Sequence, residues 1–510
     1  MTLLQAATLW ELIDTRAAAT PRNIFLVDDF ERTMTFAEYR DAVLNTAAGL
    51  KDLGVEAGDT VAWQLPTWLE SMVLMGAVAR LGARQLPLLP IYREAELSRL
   101  LDRSGAQVWA LPSLWKGTDY HALSERVRRT NPGIRTVFCD NDLPVGDPAI
   151  LPPPQVSGSH VTWLFPTSGT TSAPKIVMHT DHSIMAGGAA FCHAQGLRPD
   201  DRYGIAFPVT HIGGANNLAG ALRCGYSLAL SQSFDPTETT ASFRRHNVTI
   251  AGGGPAFYAA FLAEQRRNPS EPILPHLRFM TGGGAPMPPA MHRQVRDEIG
   301  GAGCAHGYGM TESCIVAMNH PDDTDEHLAN TVGRPVPYVE LDVLGADGPV
   351  AAGESGEIRI RGEAVFQGYL GEPTSGLDAD GWYRTGDIGQ LDEDGYLHIT
   401  GRLKDIVIRK GENISATELE DVLYAHPGID EVAVIGLPDD ERGERVCAVV
   451  CVTPGQQVTL SDIADHCTTA GLMRQKIPEQ LEVVDALPRN PAGKVLKKDL
   501  RNRFAASVAR

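Results

Sequence analysis

The segment richest in chemically useful side chains runs from Thr167 to Lys175, with the sequence Thr-Ser-Gly-Thr-Thr-Ser-Ala-Pro-Lys. It follows the apolar, strand-like run 161–165. Its hydroxyls and backbone N–H groups can donate hydrogen bonds to a polyphosphate, and its lysine supplies positive charge. The segment lacks the G-x-x-x-x-G-K-[ST] pattern of P-loop kinases, and taken alone it also fits a plain surface loop.

A second group combines an aromatic ring, a hydroxyl and a carboxylate within residues 308–313, Tyr-Gly-Met-Thr-Glu-Ser. It comes after the glycine-rich turn 282–286. Tyr308 can stack on a base, Thr311 can bind a phosphate oxygen, and Glu312 can help to hold Mg²⁺. For this segment alone, a capped turn that begins a helix at Thr311 is the simpler interpretation.

Three further charged residues, each in a different segment, are candidates for binding or catalysis. Asp387 can accept hydrogen bonds from both hydroxyls of a ribose, and Arg402 can add positive charge nearby. Lys494 ends a stiff loop, 488–494, that contains two prolines and a glycine. A free lysine has a pKa of about 10.4, so Lys494 needs no special environment to be cationic. Taken singly, each has a simpler interpretation. Asp387 would be a turn residue, Arg402 part of a surface Arg–Asp pair, and Lys494 a solvated lysine.

The elements that must position these residues alternate between helix and strand in the first part of the chain. A helix is predicted over 67–81, ending at Gly82, and a strand over 85–89, which together favour a parallel α/β layer. Residues 146–158 have the composition of a linker. Short alternating segments predict a β-rich region from 341 to 400.

The last hundred or so residues read as a separate α+β unit. Ser415 and Glu418 form a capping-box pattern that predicts a helix through Leu423. Strands are predicted at 431–437 and 446–452. We therefore predict an N-terminal domain of residues 1–402 and a C-terminal domain of residues 403–510.

Composition limits the classes of function. The 510 residues carry 45 Lys and Arg against 63 Asp and Glu, a formal net charge of −18. Such a chain argues against nucleic acid as a partner, although a local basic patch can still hold an anion. The eight cysteines in 510 residues include no CxxC pair and do not form a disulfide framework. Without a signal-peptide pattern or an apolar run of about 18 residues, we expect a cytoplasmic protein with no membrane span.

Taken jointly and in this order, these segments resemble the adenylate-forming superfamily of acyl- and aryl-CoA synthetases, luciferases and adenylation domains of peptide synthetases. The resemblance runs from about Asn23 to Arg501. It implies a large N-terminal domain of two α/β lobes with a small β-barrel, followed by a mobile α+β C-terminal domain. It also implies an enzyme that uses ATP, Mg²⁺ and coenzyme A to join a small carboxylic acid to a thiol. A homodimer is one arrangement that the sequence leaves open.

The resemblance implies roles for residues at matching positions. The implied ATP-binding residues are Thr167, Ser168, Gly169, Thr170, Thr171, Lys175, Gly283, Gly284, Ala285, Pro286, Tyr308, Gly309, Asp387 and Arg402, and Thr167 and Glu312 are implied to hold Mg²⁺. The implied catalytic residues are Lys494, Thr311, Glu312 and His211. Lys404 is the implied hinge, and Gly411 and Arg442 are the implied contacts of coenzyme A. Ser172 and Ile176 stand where relatives usually carry glycine.

The acid substrate is predicted from residues 207–214, Phe-Pro-Val-Thr-His-Ile-Gly-Gly. Relatives that activate amino acids carry an aspartate here, and its absence favours an acid with an uncharged body. The glycines at 252–254 and 282–284 leave width for a ring or a branched chain. Residues 86–94 resemble the same stretch of cyclohexanecarboxylate and medium-chain acid–CoA ligases, which implies a medium-chain, cyclic or aromatic acid. His211 is a candidate wall or gate beside the carboxylate, and a packed structural histidine is an equal alternative. Coenzyme A is the expected acceptor. The alternatives are a ligase that loads a separate carrier protein and a non-catalytic relative that only binds nucleotide.

Overall fold

The computed structural model describes residues 3–167, 175–346, 348–372, 376–410, 412–439, 442–489 and 494–505. In chain order its strands are β1 (Ile24–Asp28), β2 (Thr33–Thr35), β3 (Thr60–Trp63), β4 (Arg84–Pro87), β5 (Ala106–Leu111), β6 (Leu114–Trp115), β7 (Thr118–Asp119), β8 (Arg135–Phe138), β9 (Val161–Pro166), β10 (Ile176–Thr180), β11 (Arg202–Ile205), β12 (Ser227–Leu230), β13 (Ile250–Gly253), β14 (Phe279–Gly282), β15 (Cys304–Met310), β16 (Ser313–Met318), β17 (Arg334–Pro335), β18 (Glu340–Leu344), β19 (Gly356–Arg361), β20 (Tyr383–Leu391), β21 (Leu397–Arg402), β22 (Ile406–Arg409), β23 (Glu412–Ser415), β24 (Ile429–Asp439), β25 (Gly443–Val452) and β26 (Gln480–Val483). Its α-helices are α1 (Leu9–Ala19), α2 (Phe36–Asp52), α3 (Leu69–Leu81), α4 (Glu94–Ser104), α5 (Tyr120–Arg128), α6 (Asp181–Ala194), α7 (Ile212–Cys224), α8 (Pro236–Arg245), α9 (Pro255–Arg267), α10 (Pro289–Gln294), α11 (Asp325–Asn330), α12 (Ala416–Tyr424), α13 (Leu460–Thr469) and α14 (Lys497–Ala505).

Two largely parallel sheets make up most of the N-terminal part. The nine-stranded sheet has the order β17-β16-β15-β14-β13-β11-β12-β1-β2, and its pairs from β15 to β1 are parallel. The six-stranded sheet has the order β10-β9-β4-β3-β5-β8 and is parallel except at β10–β9. In such sheets the loops at the carboxyl ends of the strands gather along one edge, which is where ligands bind.

Helix α3 is buried along its whole length, as expected of a helix covered on all sides. It begins two residues after the predicted start and ends as predicted at Gly82, whose φ of 67° is left-handed and closes the helix. The main apolar core joins this helix to Trp63 and Trp163 of the six-stranded sheet and to Phe25 of the nine-stranded sheet. The core therefore fixes the two sets of strand ends relative to each other.

The predicted β-rich region forms the antiparallel sheet β18-β19-β20-β21. A short 3₁₀ turn, Leu403–Asp405, leads from β21 to the C-terminal sheet β23-β22-β25-β24, with β26 beside β25. The predicted helix is α12, where Ser415 Oγ accepts a hydrogen bond from Glu418 N and the Glu418 carboxylate pairs with Lys476. The predicted fold class, α/β with an α+β C-terminal region, is confirmed. The domain division after Arg402 stays a prediction.

Two further observations concern the apolar character of the described helices and the burial of two cysteines. Within the described ranges, none of the helices combines the length and the apolar character that a bilayer span requires. Cys447 and Cys451 are buried side chains of strand β25.

Candidate active site

Three predicted site residues meet where β15, β20 and β21 come together. The hydroxyl of Tyr308 donates to Asp387 Oδ2 at 2.6 Å, and both side chains are buried. Asp387 lies opposite Arg402 in the β20–β21 pair, and Arg402 Nε lies 2.6 Å from Asp387 Oδ1. Burial, followed by the charge of Asp387, raises the pKa of Tyr308 well above its usual value, so the phenol remains a donor. The carboxylate is thus oriented from both sides.

The turn that contains Thr311 and Glu312 joins the antiparallel strands β15 and β16, so the interpretation of this segment as the start of a helix is wrong. His179 Nε2 donates to the Thr311 carbonyl at 2.8 Å, and His179 Nδ1 lies 2.9 Å from Ser183 Oγ. Because burial lowers the pKa of His179 to about 4, the ring is neutral at pH 7 and its proton sits on the nitrogen that faces the carbonyl. Tyr369 donates its hydroxyl hydrogen to Glu312 Oε1 at 2.6 Å. His179 therefore holds the backbone of the turn, and Tyr369 holds the carboxylate of Glu312.

The two ends of the predicted phosphate-binding segment are joined. Thr167 N donates to the carbonyl of Lys175 at 2.8 Å, which continues the β9–β10 pair. The Lys175 ammonium lies 3.2 Å from a carboxylate oxygen of Glu372 and 4.2 Å from the centre of the Tyr369 ring. A phosphate approaching Lys175 would therefore meet a cation that already has an acidic neighbour. Ser168, Gly169, Thr170, Thr171 and Ser172 lie outside the described residues.

The segment predicted to face adenine follows β14 and packs closely against β15. It contains Gly283, Gly284, Ala285 and Pro286. His306 Nε2 donates to the carbonyl of Ala285 at 3.0 Å, and a Cβ on Gly283 would lie 2.6 Å from the carbonyl oxygen of Gly307. A Cβ on Gly309 would lie only 2.0 Å from a carbonyl oxygen of β16. Glycine is required at both positions because the backbones approach so closely.

Lys494 comes from the C-terminal segment, and the main charges that act on it belong both to the N-terminal part and to the turn that follows β21. It is half-buried, and Arg402, Asp387 and Asp405 are the charges that act on it most strongly. Burial, and then repulsion by Arg402, lowers the pKa of Lys494 to about 8. The pKa of Lys494 is thus lower than that of a free lysine, and the ammonium form still predominates at pH 7. The tail segment thus brings its charged tip to the Tyr308–Asp387–Arg402 group.

Sequence reasoning did not identify four side chains that shape this site, namely His179, Tyr369, Tyr383 and Glu372. The residues around His179 form no metal-binding motif, and none of them predicts a hydrogen bond to Thr311. Tyr369 and Glu372 lie in a stretch without a recognisable motif, 366–372. Their positions depend on backbone pairing between this stretch and β10, where Val177 lies opposite Tyr369.

Comparison with known proteins decides the family. Residues 13–370 match the family of AMP-binding enzymes, and residues 418–494 match the C-terminal domain of AMP-binding enzymes. The chain belongs to the AMP-binding enzyme family. This confirms the predicted membership of the adenylate-forming superfamily.

Individual relatives of this AMP-binding enzyme match it along nearly their whole length. It is 31% identical to the long-chain-fatty-acid–CoA ligase FadD13 of Mycobacterium tuberculosis, over 97% of this chain and 98% of that protein. It is also 31% identical to the medium-chain fatty-acid–CoA ligase of Escherichia coli, over 98% of this chain and 92% of that protein. The crystal structure of ATP-bound MatB from Rhodopseudomonas palustris has a TM-score of 0.88 at 27% identity and covers 98% of this chain and 99% of that one.

His211 of this AMP-binding enzyme stands at the start of helix α7. Its ring is half-buried, and its buried Nε2 has no hydrogen-bond partner among the residues that the structure describes. Burial lowers the pKa of His211 to about 4, so the ring is neutral at pH 7. Among the described residues, Nε2 of His211 therefore keeps its hydrogen-bonding capacity for another molecule. The role of His211 as a wall or gate stays a prediction.

The residues implied in the hinge and in coenzyme A binding lie in the C-terminal region. Lys404 is exposed in the 3₁₀ turn, and Arg501 of α14 binds the neighbouring Asp405 carboxylate at 2.8 Å. Arg442 Nε lies 3.1 Å from a carboxylate oxygen of Glu479. Gly411 lies outside the described residues.

Proposed function

We propose that this AMP-binding enzyme is an ATP-dependent carboxylic acid–CoA ligase that forms an acyl adenylate and then a CoA thioester. Two relatives that match it over nearly their full length are acid–CoA ligases, which favours this class over a non-catalytic nucleotide-binding protein. The observation that carries the mechanism is that Lys494 lies within electrostatic range of Asp387 and Arg402, which both act on its charge.

In the first half-reaction, an oxygen of the acid's carboxylate attacks the α-phosphorus of ATP. The bond from that phosphorus to the bridging oxygen breaks, pyrophosphate leaves, and acyl-AMP forms. Two anions must approach each other, and Lys494 lowers the barrier by placing one positive charge between the carboxylate and the α-phosphate. Thr311, whose backbone is held by His179, donates its hydroxyl hydrogen to an oxygen of the α-phosphate.

The other residues of the site bind and orient ATP. Tyr308 and the glycine segment 283–286 enclose the adenine, and Asp387 and Arg402 accept and donate hydrogen bonds at the ribose hydroxyls. Lys175 and the hydroxyls of 167–171 bind the β- and γ-phosphates. Because Lys175 already neighbours Glu372, binding of ATP exchanges one anionic partner of the lysine for another.

Magnesium fits the side chains available for it. Among the described residues, no group of three His, Cys, Asp or Glu side chains could hold a metal ion by itself. Mg²⁺ in nucleotide sites is commonly held by one or two carboxylates together with substrate phosphates, which suits a single Glu312 with the Thr167 hydroxyl. When bound, the ion would supply positive charge at the phosphates.

In the second half-reaction, the thiol of coenzyme A attacks the acyl carbon and AMP leaves. The space beside the phosphate cannot hold both Lys494 and the long thiol arm of coenzyme A. The C-terminal domain, residues 403–510, therefore turns about Lys404 between the two half-reactions. Gly411 then faces the pantetheine arm, and Arg442 faces the nucleotide end of coenzyme A.

The acid has an uncharged body of medium-chain, cyclic or aromatic type. The segment 207–214 offers no acidic side chain to bind an ammonium group, and its histidine, His211, is neutral. A second charge on the substrate would therefore find no opposite charge in this segment.

The lowered pKa of Lys494 predicts a specific pH dependence. We expect kcat/KM for ATP, measured by acid-dependent ATP–pyrophosphate exchange, to fall as the pH rises through about 8, because the ammonium charge is present below its pKa and lost above it. This ratio reports ionisations of the free enzyme. Bound phosphates stabilise the ammonium, so kcat alone should fall only at higher pH. Exchange assays contain no coenzyme A, which keeps ionisation of its thiol out of the profile.

The matched variant for this profile is Lys494→Arg. A guanidinium keeps its charge above pH 12, so whatever its absolute rate, the variant should lose the decline near pH 8. A wild-type profile that stays flat to pH 10, or an arginine variant with the same decline, would contradict the assignment.

The proposed activity is tested by pyrophosphate release from ATP with short, medium-chain, cyclic, aromatic and amino acids, each with coenzyme A or with a holo-carrier protein. We expect medium-chain, cyclic or aromatic acids to give acyl-CoA, AMP and pyrophosphate. If the enzyme transfers the acyl group preferentially to the carrier protein, the carrier protein and not coenzyme A is the acceptor. Absence of pyrophosphate exchange across the whole panel would favour a nucleotide-binding protein without catalysis.

A further inference from the structure

The backbone of the stretch 366–370 is hydrogen-bonded both to the turn that carries Glu312 and to strand β10, which follows Lys175. Phe366 N donates to the carbonyl of Glu312 at 2.9 Å. Gln367 N donates to the carbonyl of Met178 at 2.8 Å, and Leu370 N donates to that of Ile176 at 2.9 Å. The same short stretch thus fixes both the turn that carries Glu312 and the strand β10 that begins directly after Lys175.

Tyr369 repeats this connection with its side chain. Its hydroxyl lies 2.6 Å from Glu312 Oε1, and its ring lies beneath the Lys175 ammonium at 4.2 Å. The Tyr369 side chain is 6% exposed, which shields its hydrogen bond to Glu312 from water, whereas the Lys175 side chain is 40% exposed and its contact with the ring is the weaker of the two. The hydroxyl of Tyr383 lies 3.0 Å from that of Tyr369 and 3.5 Å from Glu312 Oε1.

We infer that Tyr369 is a positioning residue that sets the carboxylate of Glu312 and the ammonium of Lys175 at a fixed separation for the phosphates of ATP. The hydroxyl occupies one lone pair of Oε1 and fixes the plane of the carboxylate, which leaves the remaining lone pairs for a ligand. The ring face attracts the ammonium and limits its rotamers. Tyr369 acts through these two groups and does not itself touch the reacting atoms.

The proposal rests on the proposed function only for the identity of the ligand, ATP. Its test is calorimetric binding of ATP in the presence of Mg²⁺ to the full chain, without any acid. Tyr369→Phe keeps the ring and removes the hydroxyl. We expect the Kd of ATP to rise about tenfold, because the Glu312 carboxylate is no longer held in one plane. The ligand-free protein loses the same hydrogen bond, so its melting temperature should fall by no more than a few degrees.

Tyr120→Phe is the matched control, since it removes the hydroxyl of another buried tyrosine, one that donates to the Pro90 carbonyl at 2.7 Å. We expect it to change the Kd of ATP less than about twofold. Tyr369→Leu, which also removes the ring beneath Lys175, should weaken binding beyond Tyr369→Phe. Equal Kd values for wild type, Tyr369→Phe and Tyr120→Phe would overturn the inference.

A double-mutant cycle with Glu312→Ala separates positioning from general stabilisation. If Tyr369 acts through Glu312, Tyr369→Phe should change the Kd of ATP less than about twofold in the Glu312→Ala background. The same tenfold loss in both backgrounds would overturn the role. A wild-type chain that binds ATP but activates no acid would count against the proposed function and leave this cycle valid, whereas failure to bind ATP would remove both.

Discussion

Replacing Lys494 by alanine should slow adenylation by at least roughly 10²–10³-fold, the scale seen when a preorganised donor to a developing anion is removed. The reason is electrostatic: without the ammonium, the acid's carboxylate and the α-phosphate approach each other without a compensating charge between them. Lys494 lies within electrostatic range of Arg402 and Asp387, which we propose bind the ribose, so its position suits this task. The rate is measured as acid-dependent ATP–pyrophosphate exchange.

Thioester formation from separately prepared acyl-AMP should survive in the same variant, because Lys494 has no task once the adenylate exists. Lys498→Ala is the matched control, since Lys498 is an exposed lysine of the adjoining helix α14 and should be dispensable. Near-normal pyrophosphate exchange by Lys494→Ala, or equal loss in the Lys498 variant, would show that the assignment is wrong.

Replacing Lys404 by proline should impair thioester formation at least roughly tenfold more than adenylation, because proline fixes φ near −65° and removes the rotation that the C-terminal domain needs. That φ value is compatible with the 3₁₀ turn seen at Leu403–Asp405, so the arrangement with Lys494 near the ribose-binding residues is retained. The two half-reactions are measured separately, as pyrophosphate exchange and as acyl-CoA formation from added acyl-AMP.

Lys404→Ala keeps backbone freedom while removing the side chain, and it should leave both half-reactions near the wild-type rates. Equal losses in the two half-reactions of the proline variant would argue that the turn is structural and not a pivot.

Local patterns were sufficient for the elements that depend on neighbouring residues. The end of helix α3 at Gly82 and the start of α12 after Ser415 follow from backbone geometry and capping within a few residues. The turn at Thr311 shows the limit: its sequence suits a capped helix, yet pairing of β15 with β16 determines its shape.

What the sequence could not supply depends on contacts far apart in the chain. The resemblance predicts both Tyr308 and Asp387 as ATP-binding residues. It does not predict the 2.6 Å hydrogen bond between them, because they lie 79 positions apart in the chain. Tyr369 reaches Glu312 only because 366–370 pairs with β10. Likewise, the pKa of Lys494 depends on burial and on Arg402, neither of which is visible in the loop around the lysine.

The proposed mechanism requires that an acyl adenylate forms before coenzyme A takes part in the reaction. In a rapid-quench single turnover with excess enzyme, ATP and a productive acid but no coenzyme A, we expect acyl-AMP and pyrophosphate to appear in equal amounts. Later addition of coenzyme A should convert the acyl-AMP to acyl-CoA and AMP. Release of ADP and phosphate, or absence of acyl-AMP until coenzyme A is present, would contradict the account.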